Sequence, residues 1–146
     1  MTRRQLRESI FKLLFRIEFV SREECMEQQE IQLEELTQMN REEEDMLPEA
    51  NEKEAAQMQE RLEDIFSHLD EIDTIIAAHS EGWNLNRIGK AELSILRLAV
   101  YEMKWDDTIP EKVAINEAVE LAKTYCSEEA KGFVNAILGK MASGQD

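Results

Sequence analysis

Glycine and proline are scarce in this sequence of 146 residues, with five and two copies respectively. Because these residues most often interrupt helices, and Glu, Leu, Ala, Lys and Met are abundant, the composition favours helices joined by short turns. The length suits one compact domain, or two small lobes with a shared core, and is too short for a catalytic domain plus an accessory one. We therefore predict an all-α fold of about six to seven helices in a single domain.

Cysteine and long apolar runs are also lacking. Cys25 and Cys126 form no CxxC motif and no Cys/His cluster, which disfavours a disulfide framework and a zinc site and indicates reduced cytosolic thiols. No apolar run approaches the roughly 18 to 20 residues of a membrane span. An arginine-bearing N-terminus can resemble an organelle presequence, but Lys12 and Arg16 interrupt any signal-like apolar core. We expect a cytoplasmic protein without membrane contact.

Catalytic constellations are missing as well. The two histidines, His68 and His79, would lie about 16 Å apart along a helix, too far to share a metal, and we expect both at the surface or at a lobe edge. The sequence contains no phosphate-binding glycine loop, nucleophile elbow or Ser/His/Asp set. The acidic residues of 23–82 are set into no apolar pocket that would separate their pKa values. We therefore expect neither an enzyme nor a cofactor or metal site.

Positive charge is scarce overall but unevenly distributed. The formal net charge of −15 argues against a nucleic-acid partner for the molecule as a whole. Residues 1–22, however, carry a net +4, residues 23–82 a net −17 and residues 83–146 a net −2. The chain thus has a basic N-terminal end on an acidic body.

The spacing of apolar residues predicts the helices. Thr2 and Gln5 form a capping box at the start of the first helix, and Ser21 and Glu24 form another. The third helix is long enough that we expect a bend or break, and Gly82 suits a left-handed cap at its end. The fourth is apolar over most of its circumference, which is typical of a central, buried helix. The expected ranges are about 2–18, 21–40, 48–80, 87–104, 110–125 and 128–142, with a solvated loop at 40–47 and a turn at 83–86.

Three arginines at the start of the first helix form a candidate anion-binding site. Arg3, Arg4 and Arg7 share one sector with Phe11 and Leu14, so they continue the apolar stripe. They also lie at the positive end of the helix dipole, where cations are unfavourable unless neutralised. Arginine binds phosphate through two parallel hydrogen bonds and stacks on bases, so an anionic ligand would explain the pattern. A solubilising basic end is the alternative.

A second anomaly is a carboxylate in an apolar stripe. Glu92 falls between Ala99 and Met103 around the predicted helix 87–104, opposite a polar side that includes Arg97. A buried carboxylate is costly unless it is paired or faces an interface. Glu102 poses the same question, so one of the two could pair internally while the other meets a basic partner.

Ordered motifs cover nearly half of the chain, and together they resemble the NusB family of transcription antitermination proteins. Gly132 and Ala136 depart from the family pattern, which usually has a Lys or similar residue and a Gly at these positions. The matching motifs are Arg3-Arg4-x-x-Arg7-Glu8, His79-Ser80-x-x-Trp83-x-Leu85-x-Arg87, Ser94-Ile95-Leu96-Arg97-Leu98-Ala99-Val100-Tyr101-Glu102, Ile109-Pro110-x-Lys112-Val113-Ala114-Ile115-Asn116-Glu117-Ala118-Val119-Glu120-Leu121-Ala122-Lys123 and Phe133-Val134-Asn135-x-Ile137-Leu138.

The resemblance implies an all-helical fold of two three-helix lobes, about 1–80 and 83–146. It implies binding of single-stranded boxA RNA, especially in ribosomal RNA precursors, together with the ribosomal protein NusE, so that RNA polymerase passes terminators with other Nus factors in the complex. By position, the implied RNA-binding residues are Arg3, Arg4, Arg7, Tyr125 and Lys131, and the implied NusE-binding residues are Phe15, Glu92 and Glu129.

Two alternatives to this function stay open. One is a protein-interaction module that uses the acidic helices of 23–82 and does not bind RNA by itself. The other is a NusB-like domain of a ribosomal RNA methyltransferase, which would need a further domain that supplies the cofactor loop. The sequence also leaves open whether the chain is a monomer or a homodimer.

Overall fold

The computed structural model describes residues 2–16, 50–80 and 88–143, and these residues form six helices and no strand. The all-α prediction is confirmed. The predicted helix 21–40, the loop 40–47, the cap at Gly82 and the turn 83–86 lie outside the described residues. The helices are α1 Arg3–Phe15, α2 Glu52–Ser67, α3 Leu69–His79, α4 Lys90–Trp105, α5 Glu111–Tyr125 and α6 Glu128–Ala142.

The chain divides into two compact units, Met1–Phe66 and Ser67–Asp146. This boundary lies near the end of α2, whereas the lobes expected from the sequence meet at 80–83. That the whole chain acts as a single NusB-like domain stays a prediction. None of the helices in the described part of the chain is long and apolar enough to cross a membrane.

In the first unit, α1 and α2 both begin with reciprocal capping boxes. The Gln5 amide donates to the Thr2 hydroxyl at 3.1 Å, while the Thr2 amide donates to the Gln5 side chain at 2.8 Å, as predicted. Asn51 and Glu54 repeat this arrangement at 2.8 and 3.1 Å, a signal that the sequence analysis missed. Each box satisfies amides that a helix start leaves without intrahelical partners. The buried apolar residues of the two helices are Ile10, Phe11, Leu13, Leu14, Met58, Leu62, Ile65 and Phe66.

The long helix expected at 48–80 is broken at His68. His68 separates α2 from α3, and its carbonyl accepts the first hydrogen bond of α3 from Ile72 at 2.9 Å. Its ring stacks on Trp105 of α4, with the two ring centroids 4.3 Å apart. Neither glycine nor proline lies at the break. The break therefore coincides with a long-range aromatic contact instead of a local helix-breaking residue.

In the second unit, α4 is the central helix. It contacts α3, α5 and α6, and every residue from Leu93 to Glu102 is buried. This confirms the prediction of a largely buried helix. Arg97, on the polar side of α4, is buried too, and it forms a two-pronged ion pair with Asp73 of α3, at 2.9 and 3.1 Å. The pair fixes α3 against α4. It also supplies hydrogen-bond acceptors to Arg97, which is only 8% exposed.

Of the two places expected for the histidines, the surface or a lobe edge, the surface is wrong for His79. His79 is 6% exposed, and its Nδ1 lies 2.8 Å from the carbonyl oxygen of Ile75, one turn earlier in α3. His68 is half-buried between α3 and the aromatic side chains of α4. Both rings thus belong to the packing of the second unit.

The last two helices match their predicted ranges closely. Pro110 immediately precedes α5, where a missing amide hydrogen costs no helix bond. Ser127 caps α6 by accepting a hydrogen bond from the amide of Ala130 at 3.1 Å. Small buried residues, Ala114, Ala118 and Ala122, line one face of α5 and let its backbone approach its neighbours α4 and α6.

Candidate functional site

The arginine cluster at the start of α1 divides into exposed and buried members. Arg3 and Arg4 are exposed in a first turn that contains no acidic residue. Arg7, one turn further along, is only 8% exposed. This follows from the stripe that Arg7 shares with Phe11 and Leu14, which carries it towards the apolar core of the first unit. Arg3 and Arg4 are therefore the members that a ligand in solution can reach directly.

Phe15 ends α1 and is half-buried. Its ring centroid lies 6.3 Å from that of Phe11, one turn earlier, with the ring planes tilted by 42°. A tilted pair at this distance is a favourable aromatic arrangement. The buried Phe11 ring thus packs against Phe15, while part of the Phe15 side chain stays accessible.

Glu92 occupies a different helical position from the one predicted. Because α4 begins at Lys90, not at residue 87, Glu92 lies in the first turn of the helix. There the positive end of the helix dipole favours a carboxylate, so Glu92 is not a charge stranded in the core. The deeply buried carboxylate is Glu102, which is 3% exposed and does not lack a partner within the chain. Glu92 itself is half-buried.

The turn between α5 and α6 lies beside Glu92. Cys126 follows the last residue of α5, and its thiol lies near enough to the Glu92 carboxylate to interact with it. Burial, together with the proximity and negative charge of Glu92, raises the pKa of the Cys126 thiol to about 12. The thiol is therefore neutral at physiological pH. Sequence reasoning gave Cys126 no role, because only the fold brings it to Glu92.

Three of the predicted site residues lie close to Cys126 in the sequence. Tyr125 directly precedes Cys126 and is 36% exposed, a large fraction for an aromatic side chain. Glu129 is exposed in the first turn of α6. Lys131 is half-buried, and its ammonium lies 3.0 Å from the Glu128 carboxylate. The hydrogen bond and the charge of Lys131 lower the pKa of Glu128.

In the second unit the fold thus links Glu92 to the segment that carries Tyr125, Glu129 and Lys131. Arg3, Arg4, Arg7 and Phe15 belong to the first unit. Within residues 2–16, 50–80 and 88–143, no group of three or more His, Cys, Asp or Glu side chains is placed to hold a metal ion. The first unit offers exposed cations at the start of α1, and the second offers an exposed aromatic ring and carboxylates at helix starts, groups that suit binding.

The sequence matches the family model of the NusB family over residues 4–143. The chain belongs to the NusB family. Its relatives include the transcription antitermination protein NusB of Agathobacter rectalis, which is 45% identical over 97% of this chain and all of its own length. The NusB of Lachnoclostridium phytofermentans is 44% identical, over 97% of this chain and 98% of its own length. Membership therefore extends over essentially the whole sequence.

Two solved structures share the fold. NusB of T. maritima superimposes with a TM-score of 0.80 at 33% identity, covering 98% of this chain and 92% of its own. A chain in a crystal structure described as that of a plectonemic RNA supercoil gives a TM-score of 0.76 at 25% identity, covering 97% and 94%. The all-α architecture is thus that of the NusB family.

Proposed function

We propose that this chain is an RNA-binding antitermination factor that binds single-stranded boxA RNA cooperatively with the ribosomal protein NusE. In this role it promotes read-through by RNA polymerase on ribosomal RNA operons. Membership of a family of transcription antitermination proteins over residues 4–143 is the observation that carries the proposal. The residues that would perform it lie on both units.

The RNA-binding role is assigned first to Arg3 and Arg4. Both are exposed at the start of α1, where the amides of the first turn and the helix dipole attract anions. A guanidinium can hold a phosphate through two parallel hydrogen bonds or stack on a splayed base. Arg7, being buried, contributes mainly by keeping α1 in place. Its replacement would therefore lower stability as well as RNA affinity.

Tyr125 and Lys131 supply a second RNA contact in this proposal. An exposed aromatic ring provides a stacking surface that accepts any base, and Tyr125 is such a ring. Lys131 is paired with Glu128, but the Glu128 side chain is 74% exposed. Exposed ion pairs contribute little, so Lys131 can exchange this partner for a phosphate at small cost. A stacked base and a neutralised phosphate would then lie beside the turn at Cys126.

The carboxylates account for the protein partner. Glu92 and Glu129 lie at the starts of α4 and α6, and Phe15 adds a half-buried aromatic ring at the end of α1. A basic ribosomal protein is attracted by such charges and fixed by an aromatic anchor. It would also bring positive charge to a chain whose net charge is −15. Cooperative RNA binding follows from this charge balance.

The test is a titration of short RNAs, boxA-like and scrambled, into the protein with and without NusE from the same organism. Replacing Arg3 and Arg4 together by Ala is expected to weaken boxA binding at least about tenfold, because each removes a charge-assisted contact. Replacing Lys104 and Lys112, two exposed lysines, removes the same charge elsewhere and should change affinity much less.

Equal affinity of the double-arginine variant and the wild type would contradict the proposal. Capture of NusE without any gain in RNA affinity would instead support the protein-interaction module. The two arms thus separate an RNA-binding factor from a protein adaptor.

A further inference from the structure

Two residues without an assigned role, Gly89 and Cys126, lie next to the Glu92 side chain. Gly89 is the residue that precedes α4, and Cys126 is the residue that follows α5. Neither has a side chain suited to binding RNA or a protein strongly. The geometry points to Gly89 and Cys126 as positioning residues that hold the Glu92 carboxylate in place for a basic protein partner. This inference rests on the proposed function, in which Glu92 meets NusE.

The first observation is the space above Gly89. A Cβ at this position would lie 2.8 Å from Cδ of Glu92 and closer still to its Oε2. The carboxylate therefore occupies the volume that any other residue would fill. The backbone of Gly89 has a φ of −57°, which every residue adopts, so conformation does not require glycine here. A Cβ at this position would instead move the flexible end of the Glu92 side chain out of the place it occupies.

The second observation is the place of Cys126, at the end of the helix that packs against α4 and near enough to the same carboxylate for Glu92 to raise the pKa of its thiol. The backbone amide of Cys126 is itself held by the carbonyl of Ala122 at 2.9 Å, so the residue is anchored. Gly89 leaves the space in which the Glu92 side chain lies, and Cys126 beside it restricts the rotation of that side chain before any partner binds.

Such pre-organisation has a physical benefit. A glutamate on an open helix loses side-chain entropy when it binds a cation. A carboxylate already fixed by the fold loses less. A thiol donor can use one of its oxygen lone pairs, and the others stay available to a lysine or arginine.

The binding arm of the test measures NusE capture by calorimetry with four variants. Cys126→Ala removes the donor and is expected to weaken binding about fivefold, because Glu92 then loses its side-chain entropy only on binding. Cys126→Ser keeps a donor and should bind within about twofold of wild type. Gly89→Ala should displace the carboxylate and weaken binding to a similar extent. Gly139→Ala is the matched control, because a Cβ there meets no atom within 4 Å.

A double-mutant cycle links these effects to Glu92. In a Glu92→Gln background the Cys126→Ala and Gly89→Ala substitutions should have no further effect on binding, since the group that they position has lost its charge. Wild-type affinity in Cys126→Ala and Gly89→Ala, with Glu92→Gln still weakened, would overturn the positioning role and leave the proposed function standing.

A second arm reports the contact without any partner. Alkylation of Cys126 by iodoacetamide, followed by mass spectrometry so that Cys25 is counted separately, measures the thiolate fraction. Glu92→Gln removes a negative charge beside the thiol and should speed alkylation at least about threefold at fixed pH. An unchanged rate would overturn the contact itself. If Glu92→Gln leaves NusE capture unchanged, the proposed protein interface fails, and this rate alone decides whether Cys126 holds the carboxylate.

Discussion

Asp73 and Arg97 show how a charged residue is accommodated on the buried central helix. Arg97 lies within the buried stretch of α4, and its guanidinium donates two hydrogen bonds to one carboxylate of α3. Removing one partner of such a pair leaves the other without compensation for its lost hydration. The cost of the single substitution is therefore larger than the net worth of the pair.

Replacing Asp73 by Ala is expected to lower the free energy of unfolding by about 3 kcal/mol, measured by urea denaturation. Replacing both residues, Asp73 by Ala and Arg97 by Met, should recover part of this loss, because the unpaired charge is gone. Glu128→Gln breaks an exposed pair with Lys131 and serves as the control, with no measurable change expected. A loss below about 1 kcal/mol for Asp73→Ala would show that water replaces the carboxylate.

Two residues of the 15-residue helix α6 and its N-cap have opposite effects on the stability of the fold. Ser127 accepts a hydrogen bond from the amide of Ala130 at the start of α6. Gly139, near the end of the helix, is exposed, and a Cβ at this position would meet no atom within 4 Å. A cap stabilises a helix by satisfying an orphan donor, and a glycine destabilises it through the entropy of the unfolded chain. The two positions should therefore respond to alanine with opposite signs.

Ser127→Ala is expected to lower the free energy of unfolding by about 1 kcal/mol, and Gly139→Ala to raise it by about 0.5–1 kcal/mol. The variant with both changes should lie near the wild type, because the positions are far apart along the helix. Thermal melts followed by circular dichroism check all three. A destabilising Gly139→Ala would mean that this face of α6 is covered.

Local signals in the sequence located the starts of α1, α5 and α6, but not the exact starts of α2 and α4 or the position of the break at His68. Thr2 and Gln5 identified the start of α1, and Pro110 that of α5, because capping and proline chemistry act within a few residues. His68 carries no such signal, and its stacking on Trp105 joins residues far apart in the chain. Long-range contacts of this kind are not encoded in local periodicity.

The candidate site was predictable to the same limited degree. Arg3 and Arg4 stood out because cations at a helix start oppose the helix dipole. Glu92 stood out because the sequence predicted a carboxylate in the apolar stripe of a helix that begins at residue 87. The helix begins at Lys90, so Glu92 is instead a first-turn residue. Cys126 and Gly89 carried no signal, because only tertiary structure brings them to Glu92.

At the scale of the whole molecule, charge is the main constraint on the proposed function. A net charge of −15 repels RNA, and the net +4 of residues 1–22 is the local exception. Each phosphate that the protein neutralises on a single strand contributes about −0.7 to the slope of log affinity against log salt concentration. The number of cations that hold the RNA can thus be counted from the salt dependence.

For boxA RNA in the presence of NusE, replacing Arg3 and Arg4 together by Ala should make this slope shallower by about 1.4, the share of two phosphates. Replacing Lys104 and Lys112, which removes the same charge from exposed positions elsewhere, should lower the affinity slightly, mainly at low salt, and change the slope much less. Fluorescence anisotropy between 50 and about 300 mM salt covers the range in which the slopes separate. An identical slope for the arginine variant and the wild type would mean that NusE supplies all the phosphate contacts, and that the basic start of α1 serves the fold or solubility instead.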